Sequence, residues 1–249
     1  MPKVVEQADE TEEEEEEAKK DVISTGHLEI DKKLGGGIPV GSLIFIEGES
    51  DAGKSVLCQQ IMWGSLNSNF KVLLYTAENT VRSLVTQMDS LGMDILDHLL
   101  MGWFKIYYMK LAKLKFNAAQ NCFQVILETM ELHDDYDLVI VDSLTPIISP
   151  TNAEEALVYF ERCKALCDRG RTIINVTHTY AFSHDFLIRV RSMCDAHFKL
   201  LIEKVGDKLV KTLEVCKIRG AVQNTGNILT FDVEPGVGLK IMPISKAKA

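Results

Sequence analysis

The chain of 249 residues reads as an α/β protein, with a mostly parallel central sheet flanked by helices and an antiparallel β extension near the C-terminal end. Three observations point there. Apolar runs of strand length, such as Leu43–Ile46 and Leu138–Val141, alternate with helix-like blocks between residues 43 and 176. Strands that are apolar on both faces belong to a sheet covered by helices on both sides. A G-x-x-x-x-G-K-[ST] segment, Gly48–Ser55, stands between the first such strand and the first long helix. Beyond residue 195 the blocks shorten, and Gly206-Asp207 and Pro235-Gly236 supply hairpin-type turns.

The elements follow in order. Leu43–Ile46 is a buried strand between Gly41 and Gly48, and Lys54–Leu66 follows as a helix. Val72–Thr76 is the second strand. Thr80–Leu91 is a helix that stops at Gly92, and Phe104–Met109 is β-like. Ala118–Leu132 is helical, with Phe123, Ile126, Leu127 and Met130 spaced along one face. Leu138–Val141 is a strand, Asn152–Cys167 a helix with Gly170 beyond it, and Thr172–Val176 a fifth strand. Ala196–Glu203 and Leu209–Lys217 form a hairpin, and Ile228–Val233 and Leu239–Met242 add two strands to one side of the sheet.

Residues 1–20 hold nine acids (Glu6, Asp9, Glu10 and Glu12 through Glu17) against three lysines, and so carry −6 of the formal −9. Such a run cannot bury apolar surface and is expected to be a disordered tail, leaving residues 21–249 as a single domain. The remaining −3 is too acidic for a dedicated nucleic-acid binder. No apolar run reaches the roughly 18 residues of a spanning helix, and no basic-then-apolar leader opens the chain, so neither membrane insertion nor secretion is expected. The cysteines at 58, 122, 163, 167, 194 and 216 include no Cys-x-x-Cys pair, a pattern that argues against zinc and disulfides and fits a reducing cytoplasm. Cys163 and Cys167, together with Met88, Met93, Met101, Trp103 and Tyr107, read as packing or subunit-contact residues.

Gly48-Glu49-Ser50-Asp51-Ala52-Gly53-Lys54-Ser55 matches the phosphate-loop pattern in full, in the strand-to-helix context that gives the pattern meaning. Its glycines let successive N–H groups turn inward around phosphate oxygens, and the helix start adds a positive dipole end. Lys54 supplies a charge to the outer phosphates, and the Ser55 hydroxyl is a ligand for Mg²⁺. Asp142, at the end of an apolar strand, is the second metal-holding group, directly or through water. The next residue is Ser143 rather than Glu, so a water-orienting base has to come from elsewhere. Glu78, at the C-terminal end of its strand, is the candidate; the competing reading is an acid that caps the helix from Thr80.

Thr25–Ser42, with Gly35-Gly36-Gly37 ahead of the phosphate loop, resembles the leading segment of RecA/RadA/KaiC-type ATPases, and Leu213–Gly220 resembles the Lys-x-Arg segment of the KaiC branch. The likeness spans roughly residues 22–243. Within that branch, the Val-Asp-Ser at 141–143, the Asn-Val-Thr-His at 175–178 and the acidic N-terminal extension are most similar to the single-domain KaiC-like components of the archaellum motor.

The resemblance implies ATP bound between subunits of a homo-oligomeric ring, a hexamer, at the cytoplasmic face of a membrane motor complex. It implies contacts with a separate motor ATPase and with platform or scaffold proteins. It also implies that Lys217 and Arg219 reach a neighbour's γ-phosphate. On spacing alone these two form a basic pair facing one side of a strand. Thr177 and His178 fall where a γ-phosphate sensor lies in such proteins. KaiC-type sites carry two adjacent glutamates where this chain has Glu78 and Asn79, and an asparagine cannot accept a proton from water, so slow hydrolysis is expected. Two alternatives stay open at this point. One is a recombinase paralogue on single-stranded DNA, although Ser149–Ala156 holds no base and Thr179–Cys194 offers only Arg189 and Arg191 beside Asp185. The other is a KaiC-like signalling ATPase unrelated to motility.

Overall fold

A computed structural model describes residues 21–110, 122–148, 153–205, 208–223, 225–226 and 228–242. The acidic segment 1–20, the start of the helix expected from Ala118, Asn152, and the Gly206-Asp207 turn lie outside the described residues.

Among the described residues nine strands form one sheet. In chain order they are β3 (Leu43–Gly48), β4 (Val72–Thr76), β5 (Phe104–Tyr108), β6 (Leu138–Asp142), β7 (Thr172–His178), β8 (Ala196–Val205), β9 (Lys208–Ile218), β10 (Ile228–Glu234) and β11 (Gly238–Met242). Across the sheet they run β11-β10-β9-β8-β3-β7-β6-β4-β5. A separate ribbon pairs β1 (Val22–Ile23) with β2 (Ile38–Pro39). β3, β4, β5, β6 and β7 are mutually parallel, as their unbroken apolar sequences require. β8 also runs parallel to β3, so the antiparallel extension begins one strand later than the sequence suggests, at the β8–β9 pairing.

Each face of the sheet carries its own core. Ile44, Ile46, Leu74, Ile140 and Val176 meet α2 (Lys54–Asn67) and α3 (Val81–Ser90) on one side. On the other, Leu43, Phe45, Val139, Val141 and Ile173 meet α5 (Cys122–Leu132), α6 (Ala153–Cys167) and α7 (His184–Met193). Two short helices, α1 (Leu28–Lys33) and α4 (Leu96–Leu100), complete the described set. The predicted one-face stripe of α5 is buried as expected, and Cys163, Cys167, Met88 and Met93 are core residues, whereas Met101 is exposed. Among the described residues no two cysteines are joined in a disulfide. Among the described residues no helix is long and apolar enough to cross a membrane.

Residues 179–194, to which the sequence reading assigns no element, contain α7. Its cap is Ser183, whose hydroxyl accepts from the Phe186 N–H, and its buried residues are Phe186, Leu187 and Val190. The leading segment packs on α2 at Gly64, where a Cβ would come within 2.2 Å of the Gly26 nitrogen, so only glycine allows that approach. From β3 the chain crosses past two positions later filled by β7 and β6 before pairing as β4, which opens a crevice above the C-terminal strand ends.

Candidate nucleotide site

The crevice is a cavity of about 570 Å³ lined by Ser50, Asp51, Gly53, Lys54, Ser55, Val56, Glu78, Asn79, Gln87, Asp142, His178, Lys211 and Val233. The phosphate-loop residues, Asp142 and Glu78 therefore converge from three separate strand ends.

The loop leaves β3 at Gly48 and turns into α2 through Gly53, whose φ of 94° suits glycine. A Cβ there would also stand 2.9 Å from the Phe231 ring of β10. Lys54 is 6% exposed and curls back so that its ammonium donates to the Glu49 carbonyl at 2.5 Å. Burial pulls that ammonium below the ordinary lysine range, opposed by the charges of Asp142, Glu78 and Asp51.

Asp142 ends β6 level with Thr76 of β4 and is 8% exposed. Burial pushes its carboxyl up to about 6; the nearby charge of Glu78 adds to the rise, while a hydrogen bond from Ser55 and the charge of Lys54 oppose it. Ser55 and Asp142, far apart in sequence, thus line one cavity and influence one another there. One hydroxyl and one carboxylate are hard oxygen donors. Among the described residues no group of three or more His, Cys, Asp or Glu side chains is placed to hold a metal on its own. Such a sparse set fits Mg²⁺, which keeps waters and takes further ligands from phosphates.

Glu78 and Asn79 follow β4, their backbone N–H groups each 3.3 Å from the Thr76 hydroxyl. The cap of α3 is Thr80, whose side chain accepts from the Ser83 N–H at 3.2 Å, so Glu78 does not serve as the helix cap. Asn79 accepts a long hydrogen bond of 3.4 Å from the Ser83 hydroxyl. His178 lines the cavity, its Nδ1 lying 3.1 Å from the Thr145 hydroxyl and its ring stacked on Tyr180. Burial and the Lys54 charge lower its pKa.

Sequence reasoning missed Lys211. It lies on β9 opposite Phe231 of β10 and brings a cation to the cavity from within the same chain. The available signal was alternation: Lys211, Leu213 and Val215 share a face, and the last two are buried.

Lys217 and Arg219 lie elsewhere. Lys217 pairs with His197, which is level with Phe45 of β3, three residues before Gly48 and two strands across from it. Its ammonium donates to the carbonyls of Arg191 at 3.1 Å, Ser192 at 3.4 Å, and Cys194. Arg219 falls just past the end of β9, so it does not share a strand face with Lys217; its side chain is 62% exposed and 4.0 Å from Asp195. Neither residue lines the cavity of its own chain.

Comparison with known proteins gives consistent findings. A family model described as "ATPase: KaiC" matches residues 23–246. The archaeal flagellar ATP-binding protein FlaH of Sulfolobus acidocaldarius is 29% identical over 92% of this chain and 100% of that protein. The crystal structure of the flagellar accessory protein FlaH from Methanocaldococcus jannaschii superposes with a TM-score of 0.76 at 27% identity, covering 86% of this chain and 95% of that one. A KaiC-like protein of Pyrococcus horikoshii shares the fold, with a TM-score of 0.71 at 18% identity over 89% and 99% of the two chains.

Proposed function

The chain belongs to the KaiC family of ATPases, and from that premise we propose that residues 21–249 form one domain that binds Mg·ATP in the crevice above β3, β6 and β4. The observation that carries this reading is the convergence of Lys54, Ser55 and Asp142 on one cavity. Lys54 neutralises the outer phosphates once released from Glu49, and the inward N–H groups of the loop cradle them. Ser55 and Asp142 hold the cation, which when bound neutralises charge on the phosphate oxygens. Glu78 orients water toward the terminal phosphate. Asn79 beside it cannot take the proton, so hydrolysis is slow.

We further propose that the protein is an ATP-binding ring subunit, a hexamer, of the archaellum motor at the cytoplasmic face of the membrane. There it regulates motor assembly or activity through nucleotide-dependent contacts with the motor ATPase and with platform or scaffold proteins. The FlaH proteins, matched along nearly their whole length, support this. Arg219, exposed and remote from its own crevice, is the leading cation for a neighbour's γ-phosphate; Lys217 would have to leave three carbonyls to join it. The recombinase alternative loses support, because Arg191 is spent on an internal ion pair with Glu47 and its segment is a packed helix.

The test is calorimetry with Mg·ATP on the parent and on Lys54→Ala. Loss of binding in the variant is expected, and equal affinity overturns the assignment. Light scattering with and without Mg·ATP measures ring assembly. Steady-state turnover of tens per second, within the range of efficient phosphoryl-transfer enzymes, rejects slow hydrolysis.

A further inference from the structure

Glu47 is the residue immediately before the phosphate loop, and it is a fully buried carboxylate. Its Oε1 accepts from Arg191 Nη2 at 2.6 Å and lies 2.8 Å from His197 Nε2. Its Oε2 and the Arg191 Nε have no hydrogen-bond partner. A buried carboxylate with one oxygen engaged depends heavily on the cation that engages it. Arg191 sits in the last turn of α7, so the position of that helix end decides whether Glu47 keeps its partner.

The end of α7 is held by Lys217. Its ammonium takes the carbonyls of Arg191, Ser192 and Cys194, the place where a cation stabilises a helix C-terminus. Arg191 is therefore gripped at both ends, by Lys217 at its carbonyl and by Glu47 at its guanidinium. A bulge in β9 makes this possible. His197 pairs with Lys217 but Phe198 pairs with Val215, leaving Cys216 as the extra residue. Regular alternation from Val215 would turn Lys217 toward α2; the extra residue brings it to the α7 side, opposite His197.

We propose that Lys217 is a positioning residue for the chain's own phosphate loop, acting through the end of α7, Arg191 and Glu47. This rests on the reading of Gly48–Ser55 as the nucleotide site. It also gives the site a line to the strand edge that carries Arg219: a group that draws Lys217 off the α7 carbonyls loosens Arg191 and hence the residue that anchors the loop.

The test measures the affinity of a non-hydrolysable Mg·ATP analogue for protein kept dilute and shown to be monomeric by light scattering, so that contacts between subunits do not enter. Lys217→Met should bind about fivefold more weakly or worse, and Lys217→Arg should recover most of the loss. Glu47→Gln should lose a similar factor. Lys217→Met in the Glu47→Gln background should lose no more, because both act along one path. Unchanged affinity in folded Lys217→Met, or losses that multiply in the double variant, overturns the inference. Should Lys217→Met not fold, Arg191→Lys, which keeps a cation beside Glu47 but loses the fork, is read in the same way: weaker binding supports the path and unchanged binding overturns it. A parent that binds no nucleotide overturns the phosphate-site reading and this inference together. A parent that binds while Lys217→Met matches it overturns this inference alone.

Discussion

Replacing Asp142 by asparagine should stabilise the nucleotide-free protein even as it damages the cation site. The carboxyl is 8% exposed and is pushed up to about 6, chiefly by burial. In the unfolded chain it titrates near the ordinary value of about 4. An acid raised by folding favours the folded state only while protonated. Its contribution is full below about pH 4, declines as pH rises through about 6, and is gone above that. A difference of roughly two units corresponds to about 3 kcal/mol. Asparagine never ionises, so it escapes this cost. Lys54 loses a favourable neighbour, which trims the gain to about 1–3 kcal/mol at pH 8, or several degrees in melting temperature for a chain of this size. At pH 5 about half of the pH-dependent part should remain. The assay is thermal or urea unfolding of parent and variant in chelator, without nucleotide, at pH 5 and pH 8. A variant no more stable than the parent at pH 8, or an advantage that grows as pH falls, refutes the reasoning.

Gly53→Ala should lower stability by about 1–2 kcal/mol from the left-handed backbone alone and weaken Mg·ATP binding, because the new methyl meets the Phe231 ring; urea titration and calorimetry read the two effects. Lys211→Met should reduce nucleotide affinity in the monomer several-fold without changing the stoichiometry of any ring, as checked by calorimetry and light scattering. Arg219→Ala should bind Mg·ATP like the parent yet assemble poorly, and rings that form equally well remove Arg219 from the subunit contact.

The parallel sheet and the phosphate site were legible because both rest on local sequence. Strands such as Leu138–Asp142 announce themselves by unbroken apolarity, and Gly48–Ser55 is a contiguous pattern. What stayed hidden depends on pairing between distant segments. Lys211 reaches the crevice only because β8 pairs with β3 and β9 with β8. Lys217 faces α7 only through a one-residue bulge, which period-two reasoning cannot see. The parallel course of β8 follows from α7, and α7 was missed although Ser183 and the spacing of Phe186, Leu187 and Val190 were in plain view. The short helix α1 buries only Ile30, which leaves too little periodicity to detect.

The place of β3 in the middle of the sheet bears on biosynthesis. Its two neighbours are β7 and β8, and the pairing with the second is complete only at Leu200, about 150 residues after the strand itself. At typical translation speeds, Leu43–Ile46 emerges as an unpaired apolar strand roughly 8–30 s before both partners exist. The nucleotide cannot template early folding, since Asp142 and Lys211 also arrive late. The nucleotide pocket is therefore among the last features of the nascent chain to form, and the long-range pairings that close it favour slow folding and a period of dependence on holding factors.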